Sequence, residues 1–354
     1  MAAPSRRRHR SCKLQFDCRR RWARAQVCAI RPSAEKESAL VKEIGLAAIG
    51  ECMLELSAAQ NDTWRMGIAG DTLNTLWALR ALLPGARCDY VTAFGDDHFS
   101  ERQKAFLAEN GIGYASSPVI PGARPGLYAI TLDGVERSFT YWRSDSAARQ
   151  LASDPAALEK SLSNLRLAYV SGITLAILDE PARRILIDAL GKARNAGTLV
   201  AFDPNYRARL WASRDYAQQE INAALAVSDI VLPTFPDESE LYGDASPEAT
   251  MQRIASAGVA EIVVKNGTED ALVLFDGIAG TSPASRAEGA IDTTGAGDAF
   301  NGGYLAARLN GMDGVAAAHR AHSTAAAVVC VRGALAPFDL LRTAYGCGTE
   351  PSAA

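Results

Sequence analysis

Several features are missing from this 354-residue sequence, and each absence excludes a class of protein. No apolar run approaches the roughly 18 residues that a membrane-spanning helix needs, so neither a transmembrane helix nor a membrane partner is expected. The seven cysteines, at positions 12, 18, 28, 52, 88, 330 and 347, show neither metal-ligand spacing nor a paired framework. Such cysteines suit a reducing compartment, and we expect a cytoplasmic protein.

The glycine fingerprint of dinucleotide-binding enzymes is also missing. That fingerprint directly follows the first strand, with an acidic residue about 20 residues later. Here Ile49 is followed by Gly-Glu-Cys instead. A dinucleotide-dependent oxidoreductase is therefore disfavoured.

Basic residues are scarce outside the first 40 positions. Residues 1–40 hold eleven Lys and Arg against three acids, a net charge of +8, which leaves −11 for the rest of the chain. An acidic body argues against nucleic acid as the main partner, and a nucleic-acid-binding regulator would rest on the basic head alone. A targeting peptide has a similar composition. We expect residues 1–40 to be a disordered extension, or upstream sequence read through a misassigned start, with Val41 as the true initiator.

Strand and helix patterns alternate through the body of the chain. An apolar run at 44–53, broken by Gly50, is typical of a first buried strand. Strand–helix pairs recur at 90–94 with 98–109, at 167–171 with 179–195, at 199–203 with 216–226, and at 230–232 with the helix after it. This repetition predicts an α/β fold, a doubly wound and mainly parallel sheet with helices on both faces. Ligands bind such sheets at the carboxyl ends of the strands.

Two segments break that alternation. Residues 126–143 alternate in residue type around Asp133-Gly134, the strongest short hairpin signal. With a partner from 53–69 they would form a small β lid that excludes water from the substrate site. A strand pair is also predicted at 261–265 and 271–275. Its turn could contact a nucleotide, or the pair could be a surface hairpin without function.

We therefore expect one domain at 41–345, with lid segments at 53–69 and 126–143, and a tail at 346–354.

A glycine-rich string at 292–303 leads into a strongly helical run. The first N–H groups of a helix that begins at such a turn lack partners, and with the helix dipole they form a site for an anion. Asp298 would lie in that first turn as a base that deprotonates a hydroxyl attacking phosphorus. Alternatively, Gly295 and Gly297 only make a tight turn and Asp298 only caps the helix.

Candidate sugar-binding residues lie at the start of another predicted helix. Gly70 allows a close backbone approach, and Asp71 and Asn74 lie on adjacent turns, where they can hold sugar hydroxyls. The alternative for Asp71 is a helix N-cap.

Two arginines suit an acidic sugar better than a neutral one. Tyr141 and Arg143 share one face of the predicted hairpin because strand side chains alternate. A guanidinium can hold a carboxylate in bidentate fashion, and Arg207 offers a second one after a predicted strand end. A solvated arginine beside an aromatic stripe is the alternative for Arg143.

The string at 292–303 resembles the C-terminal signature of the ribokinase-like, PfkB-type carbohydrate kinases. The resemblance implies Asp298 as the base and the amides of Gly295, Ala296 and Gly297 as the anion hole. Strings that begin at residues 50, 70, 125, 141, 171 and 205 resemble the branch of that family that phosphorylates the 6-hydroxyl of 2-keto-3-deoxygluconate with ATP. Kinases of 2-keto-3-deoxygalactonate or fructose, or a kinase of broad specificity, remain alternatives.

The resemblance also assigns the other site residues. For the substrate it implies Gly70, Asp71 and Asn74 on hydroxyls, and Tyr128, Tyr141, Arg143 and Arg207 around the acid and the ketone. It implies Asn205, Lys265 and Gly267 toward ATP. A monovalent cation is expected near Asp292, and the chain is expected to form a homo-oligomer.

The sequence departs from the family pattern at two places. Asn-x-x-Glu often lies near the magnesium in this family, whereas Thr234, Asp237 and Glu238 occupy that stretch here. Asp237 and Glu238 are therefore the candidate Mg²⁺ residues, acting through water. Asp270 replaces the last glycine of the nucleotide turn, which weakens the assignment of that turn but not of the fold.

Overall fold

The computed structural model describes residues 44–58, 63–114, 116–133, 136–285 and 287–346. The expectations for residues 1–40, for the tail from 347 onward and for Gly134 of the hairpin turn lie outside these ranges. Of the described helices, none combines the length and the apolarity needed to cross a membrane.

Two sheets and their flanking helices make up the fold. The strands are β1 Gly45–Ile49, β2 Met53–Ala58, β3 Trp64–Ala69, β4 Arg87–Val91, β5 Ile112–Gly113, β6 Gly126–Asp133, β7 Glu136–Trp142, β8 Leu167–Ser171, β9 Leu199–Asp203, β10 Ile230–Val231, β11 Glu261–Val264, β12 Ala271–Phe275 and β13 Ile278–Ser282. The α-helices are α1 Asp71–Leu82, α2 His98–Glu109, α3 Pro155–Ser161, α4 Gly172–Ile177, α5 Glu180–Asn195, α6 Arg214–Ala226, α7 Phe235–Tyr242, α8 Pro247–Ser256, α9 Ala296–Leu309, α10 Gly314–Val328 and α11 Phe338–Tyr345. Short 3₁₀ turns lie at Ala147–Gln150 and Ala208–Leu210.

The main sheet has nine strands in the order β13-β12-β11-β10-β9-β8-β1-β4-β5. Neighbouring strands are parallel from β11 to β5, and β12 and β13 extend one edge as antiparallel strands. The expected doubly wound, mainly parallel sheet is confirmed.

Helices cover both faces of this sheet, as the side chains of β1 show. Leu46 and Ala48 belong to the core under α1, α2 and α9 to α11. Ala47 and Ile49 point the other way, into the core under α3 to α8. A strand buried on both faces reads as a continuous apolar run, which is why this strand stands out in the sequence.

The second sheet has the order β3-β2-β6-β7. β6 and β7 form the expected antiparallel hairpin, and β2 pairs with β6 in parallel, so the predicted partner segment is also confirmed. The role of this sheet as a lid stays a prediction.

Two strand predictions were wrong. The run at 44–53 is not one strand, because the chain leaves the main sheet after Gly50, whose N–H donates to the Val91 carbonyl at 3.0 Å. The strand expected at 90–94 begins three residues earlier, at Arg87. The start of this strand contains two charged residues, Arg87 and Asp89, which form an ion pair at 2.8 Å. Charged residues are more typical of a loop, so the sequence pattern did not show that the strand begins there.

Candidate active site

The candidate residues converge where the parallel strands end. β11, β10, β9, β8 and β1 are consecutive in the sheet, so their carboxyl ends share one edge. Ser171 and Asp203 end β8 and β9, and Lys265 directly follows β11. Two helices meet this edge: Asp71 at the start of α1 accepts a hydrogen bond from Ser171, and Asn301 of α9 donates to Asp203 at 2.7 Å.

Asp298 lies in the first turn of α9 and is partly exposed. Asn74 of α1 donates its side-chain amide to Oδ2 of Asp298 at 2.8 Å, and the Thr75 hydroxyl donates to the Asp298 carbonyl at 3.2 Å. The two helices can approach because α9 carries Gly302, where a Cβ would lie 2.5 Å from the Cβ of Ala78 in α1. The contact places the carboxylate between two helix amino termini.

The surroundings of Asp298 favour its neutral form. Burial raises its pKa to about 7, and the negative charges of Asp71 and Asp203 add to the rise. The Asn74 hydrogen bond and the Lys265 ammonium oppose it by favouring the carboxylate. A carboxyl group with a pKa near neutrality is suited to act as a general base around pH 7.

The glycine turn before α9 requires a glycine at its first position. Gly295 is the N-cap and has a left-handed φ of +76°, and a Cβ there would lie 2.5 Å from the Cβ of Ala334. No side chain caps this helix, so the capping alternative for Asp298 is wrong. The N–H of Ala296 donates to the Thr293 carbonyl at 3.3 Å. The anion-hole role of this turn, which includes Gly297, stays a prediction.

At the start of α1, Gly70 is the N-cap and Asp71 is the first helical residue, so the N-cap alternative for Asp71 is wrong. Oδ2 of Asp71 accepts hydrogen bonds from the Ser171 hydroxyl and, at 3.2 Å, from the Asn205 amide. Burial raises the pKa of Asp71, an effect that the Ser171 hydrogen bond opposes. Asp71 and Asn205 therefore lie together at the strand ends, near Asp298.

Arg143 forms a buried ion pair at the junction of the two sheets. Its Nη2 contacts Oε2 of Glu51, a residue that is only 2% exposed. Burial raises the pKa of Glu51, while Arg143 and Ser146 lower it. A Cβ at Gly126 would lie 2.4 Å from Oε1 of Glu51, so a glycine makes room for the pair. Binding of a substrate carboxylate by Arg143 stays a prediction.

Aromatic and cationic side chains line the second sheet nearby. The Tyr128 hydroxyl donates to Oε2 of Glu55, and its ring lies 5.7 Å from the ring of Tyr141. The guanidinium groups of Arg143 and Arg209 lie 5.8 and 5.9 Å from the centre of the Tyr141 ring. Arg209, on the 3₁₀ turn after β9, thus joins the main sheet to the hairpin.

The two candidate magnesium carboxylates have different surroundings. Oδ2 of Asp237 lies 2.9 Å from Nη1 of Arg207, and both side chains keep access to solvent. The Glu238 side chain is 1% exposed and pairs with Arg253 at 2.5 Å, while Arg253 also holds Asp244. Burial raises the pKa of Glu238 to about 7 although Arg253 opposes the rise. Across the described ranges, no group of three or more acidic, histidine or cysteine side chains could hold a metal ion.

Lys265 belongs to a buried polar network. Its Nζ donates to Oδ2 of Asp203 at 2.6 Å and to Oδ1 of Asn301 at 3.0 Å. Asn301 in turn donates to Asp203 and, at 3.0 Å, to the Tyr169 hydroxyl. The ammonium thus points into the fold, whereas Gly267, with a φ of +62°, lies in an exposed turn. ATP contacts by these two residues stay predictions.

Asp292 fixes the approach to the glycine turn. Its Oδ1 accepts from the Thr294 N–H at 2.9 Å, and its Oδ2 accepts from the Gly333 N–H at 2.8 Å. It therefore links the segment before α9 to the loop after α10. A monovalent cation at this place stays a prediction.

Sequence reasoning gave no role to three residues of this site: Glu51, Asp203 and Asn301. Glu51 and Asp203 stand at the carboxyl ends of buried strands, where polar side chains face ligands. Asn301 follows Asp298 by three residues, so both lie near one helix face. These positions in the sequence could have indicated that the three residues belong to the site.

A family model described as pfkB family carbohydrate kinase matches residues 44–340. This chain belongs to the pfkB carbohydrate kinase family. The resemblance found in residues 292–303 is therefore confirmed.

Several curated proteins that are similar to this PfkB kinase are named as sugar kinases. The 2-dehydro-3-deoxygluconokinase of Dickeya dadantii is 40% identical over 304 residues, which are 84% of this chain and 98% of the relative. The enzyme of the same name from Escherichia coli K12 is 43% identical over 305 residues, with the same coverage. Fructokinase-1 of Zea mays is 30% identical over 253 residues, which are 71% of this chain and 76% of the relative.

Solved structures confirm the ribokinase-like fold. A 2-dehydro-3-deoxygluconokinase of Thermotoga maritima superposes with a TM-score of 0.74 at 22% identity, over 85% of this chain and 98% of that one. A protein of Escherichia coli described as ribokinase II, in complex with ATP and Mg²⁺, gives the same TM-score, identity and coverage.

Proposed function

We propose that this PfkB kinase transfers the γ-phosphate of ATP to the 6-hydroxyl of 2-keto-3-deoxygluconate, also named 2-dehydro-3-deoxygluconate. The products are 2-keto-3-deoxy-6-phosphogluconate and ADP. The observation that carries the proposal is Asp298, a partly exposed carboxyl group with a pKa of about 7 at the start of α9. The higher identity to the 2-dehydro-3-deoxygluconokinases than to the fructokinase supports this sugar acid over fructose.

In the proposed reaction the oxygen of the sugar 6-hydroxyl attacks the γ-phosphorus, and Asp298 accepts the proton of that hydroxyl. The bond from that phosphorus to the bridging oxygen breaks, and ADP leaves with the bonding electrons. Asn74 orients the base through its 2.8 Å hydrogen bond. The amides and the dipole at the start of α9 stabilise the charge on the phosphoryl oxygens.

The sugar acid is held by the arginines on the other side of the base. A guanidinium has five N–H donors, so Arg143 retains donors for a substrate carboxylate while it contacts Glu51. Arg207 adds a second, more exposed guanidinium, and Tyr128 and Tyr141 line the pocket. Asp71 accepts hydrogen bonds from sugar hydroxyls.

A magnesium ion bound with ATP would neutralise part of the negative charge of the phosphates. Mg²⁺ is commonly bound by one or two carboxylates and by several waters. Asp237 fits this role because its carboxylate keeps access to solvent. Glu238 does not fit, because it is buried and committed to Arg253.

A coupled ADP-release assay tests the substrate. The purified chain is given 2-keto-3-deoxygluconate, 2-keto-3-deoxygalactonate or fructose, with a blank that lacks sugar. We expect the highest kcat/KM with 2-keto-3-deoxygluconate. An equal or higher value with fructose would contradict the proposal.

Asp298→Asn tests the base. We expect turnover to fall by roughly 10²-fold or more, with the sugar KM little changed, because the proton acceptor is lost while the shape is kept. Asp313→Asn is the matched control: Asp313 caps α10, and asparagine caps a helix about as well. Comparable losses in both variants would argue against Asp298 as the base.

A further inference from the structure

A buried cation lies between β11 and the start of α9. Lys265 is 6% exposed, and its main chain is fixed on both sides: its N–H donates to the Pro233 carbonyl and its carbonyl accepts from the Phe235 N–H, each at 2.8 Å. Its ammonium is held by Asp203 at 2.6 Å and by Asn301 at 3.0 Å. The position of the charge is therefore set by contacts at both ends of the residue.

This charge lies directly behind the glycine turn. Asn301 follows Gly297 by four residues, so the two share one face of α9. The Lys265 Nζ is 3.8 Å from the place that a Cβ on Gly297 would occupy. The ammonium thus reaches the turn from inside the fold.

We propose that Lys265 is a positioning residue for the phosphoryl transfer: its ammonium holds Asp203 and Asn301 behind the glycine turn and offsets the negative charge that Asp298 faces. The inference rests on the proposed function for its kinetic consequence. This role differs from a direct contact between the Lys265 side chain and ATP. Loss of the lysine should change the pKa of Asp298 and not the affinity for the nucleotide.

The charges around Asp298 explain why such an offset matters. The ionisable groups that interact with Asp298 include Asp71 on α1, Asp203 on β9, Lys265 after β11, Tyr128 on β6 and Tyr169 on β8. Both aspartates disfavour ionised Asp298, and Lys265 favours it. Without the lysine, the charge of Asp203 would act on Asp298 without compensation.

Three variants test this arrangement through the pH dependence of kcat/KM. Lys265→Met keeps the approximate side-chain length and should move the acidic limb upward by about one pH unit, so kcat/KM falls about tenfold at pH 6 and little at pH 9. Asp203→Asn should move the same limb downward. The double variant should return close to the wild-type limb, because both charges are gone.

Arg308→Met is the matched control. Arg308 and Glu261 form a second buried ion pair, at 2.7 Å, between the same helix α9 and the same strand β11, but farther from the glycine turn. We expect Arg308→Met and Lys265→Met both to lower Tm, because each removes a buried ion pair. Arg308→Met should leave the acidic limb of kcat/KM in place. A merely structural role for Lys265 predicts the same unmoved limb in both variants.

Two results would overturn the inference. One is an acidic limb that stays in place in Lys265→Met. The other is a rise in the KM for ATP without a shift of the limb, which would make Lys265 a nucleotide contact. Titration of the Asp298 carboxyl carbon by NMR reads the same shift without turnover. If the wild-type chain releases no ADP with any sugar, the proposed function fails, while this titration still decides whether Lys265 offsets the charge.

Discussion

The hydrogen bond from Asn74 to Asp298 offers a quantitative test of the base. It is a contact that favours the ionised carboxylate, against burial and the charges of Asp71 and Asp203. Asn74→Leu removes the donor and keeps a similar volume. The pKa of Asp298 should therefore rise further.

The size of this rise follows from the strength of the bond. A hydrogen bond to a charged group contributes about 1.5–3 kcal/mol. Since one pKa unit corresponds to about 1.4 kcal/mol, the pKa of Asp298 should rise by about 1–2 units. A base with a pKa of about 7 is half ionised at pH 7. In Asn74→Leu the ionised fraction would be about 1–10%, so kcat/KM at pH 7 should fall roughly 5- to 50-fold.

The coupled ADP-release assay, run from pH 5.5 to about 9.5, separates this effect from simple damage to the site. The wild-type rate should rise with pH through the pKa of Asp298 and then level off. In Asn74→Leu the rise should occur at higher pH, with much of the loss recovered at the alkaline end. Thr75→Val is the control, because Thr75 bonds the Asp298 carbonyl and not its carboxylate. A loss that is equal at all pH values would refute the reasoning.

Four further outcomes are expected. Arg143→Ala should raise the KM for acidic sugars more than for neutral ones, and equal effects would exclude a carboxylate contact. Gly295→Ala should lower both Tm and kcat, because a side chain at φ +76° is strained; unchanged values would show that the turn adapts. Asp237→Asn should raise the Mg²⁺ concentration needed for half-maximal rate, whereas Glu238→Gln should mainly lower Tm; the reverse pattern would exchange their roles. Removal of residues 1–40 should leave kcat and Tm nearly unchanged, and a large loss of either would refute this.

Much of the fold could be predicted from local pattern. Leu167–Ser171, Leu199–Asp203 and His98–Glu109 were expected with the bounds that the structure has. Each is an apolar run that stops at a polar residue, or a helix that starts at a turn or capping residue. The run at 44–53 failed for a physical reason: both halves are apolar and largely buried, and periodicity cannot show that the chain changes sheet between them.

For the candidate site, the sequence predicts on which element a side chain lies but not which side chain it pairs with. The sequence places Arg143 at the end of a hairpin and Lys265 after a strand. It cannot show that they pair with Glu51 and Asp203, because those contacts depend on the order of strands in the sheet and on where the second sheet joins it. The capping alternatives for Asp71 and Asp298 likewise needed coordinates to be excluded.

These pairings distinguish the proposed base from the other carboxylates of the site. Glu51, Asp203 and Asp237 each form an ion pair with an arginine or a lysine. Asp71 and Asp298 instead accept hydrogen bonds from neutral hydroxyl or amide donors. A general base needs a pKa near the working pH and access to the substrate proton. Of these two, we propose Asp298 as the base because it lies in the first turn of α9, the helix whose amides we expect to hold the phosphoryl group.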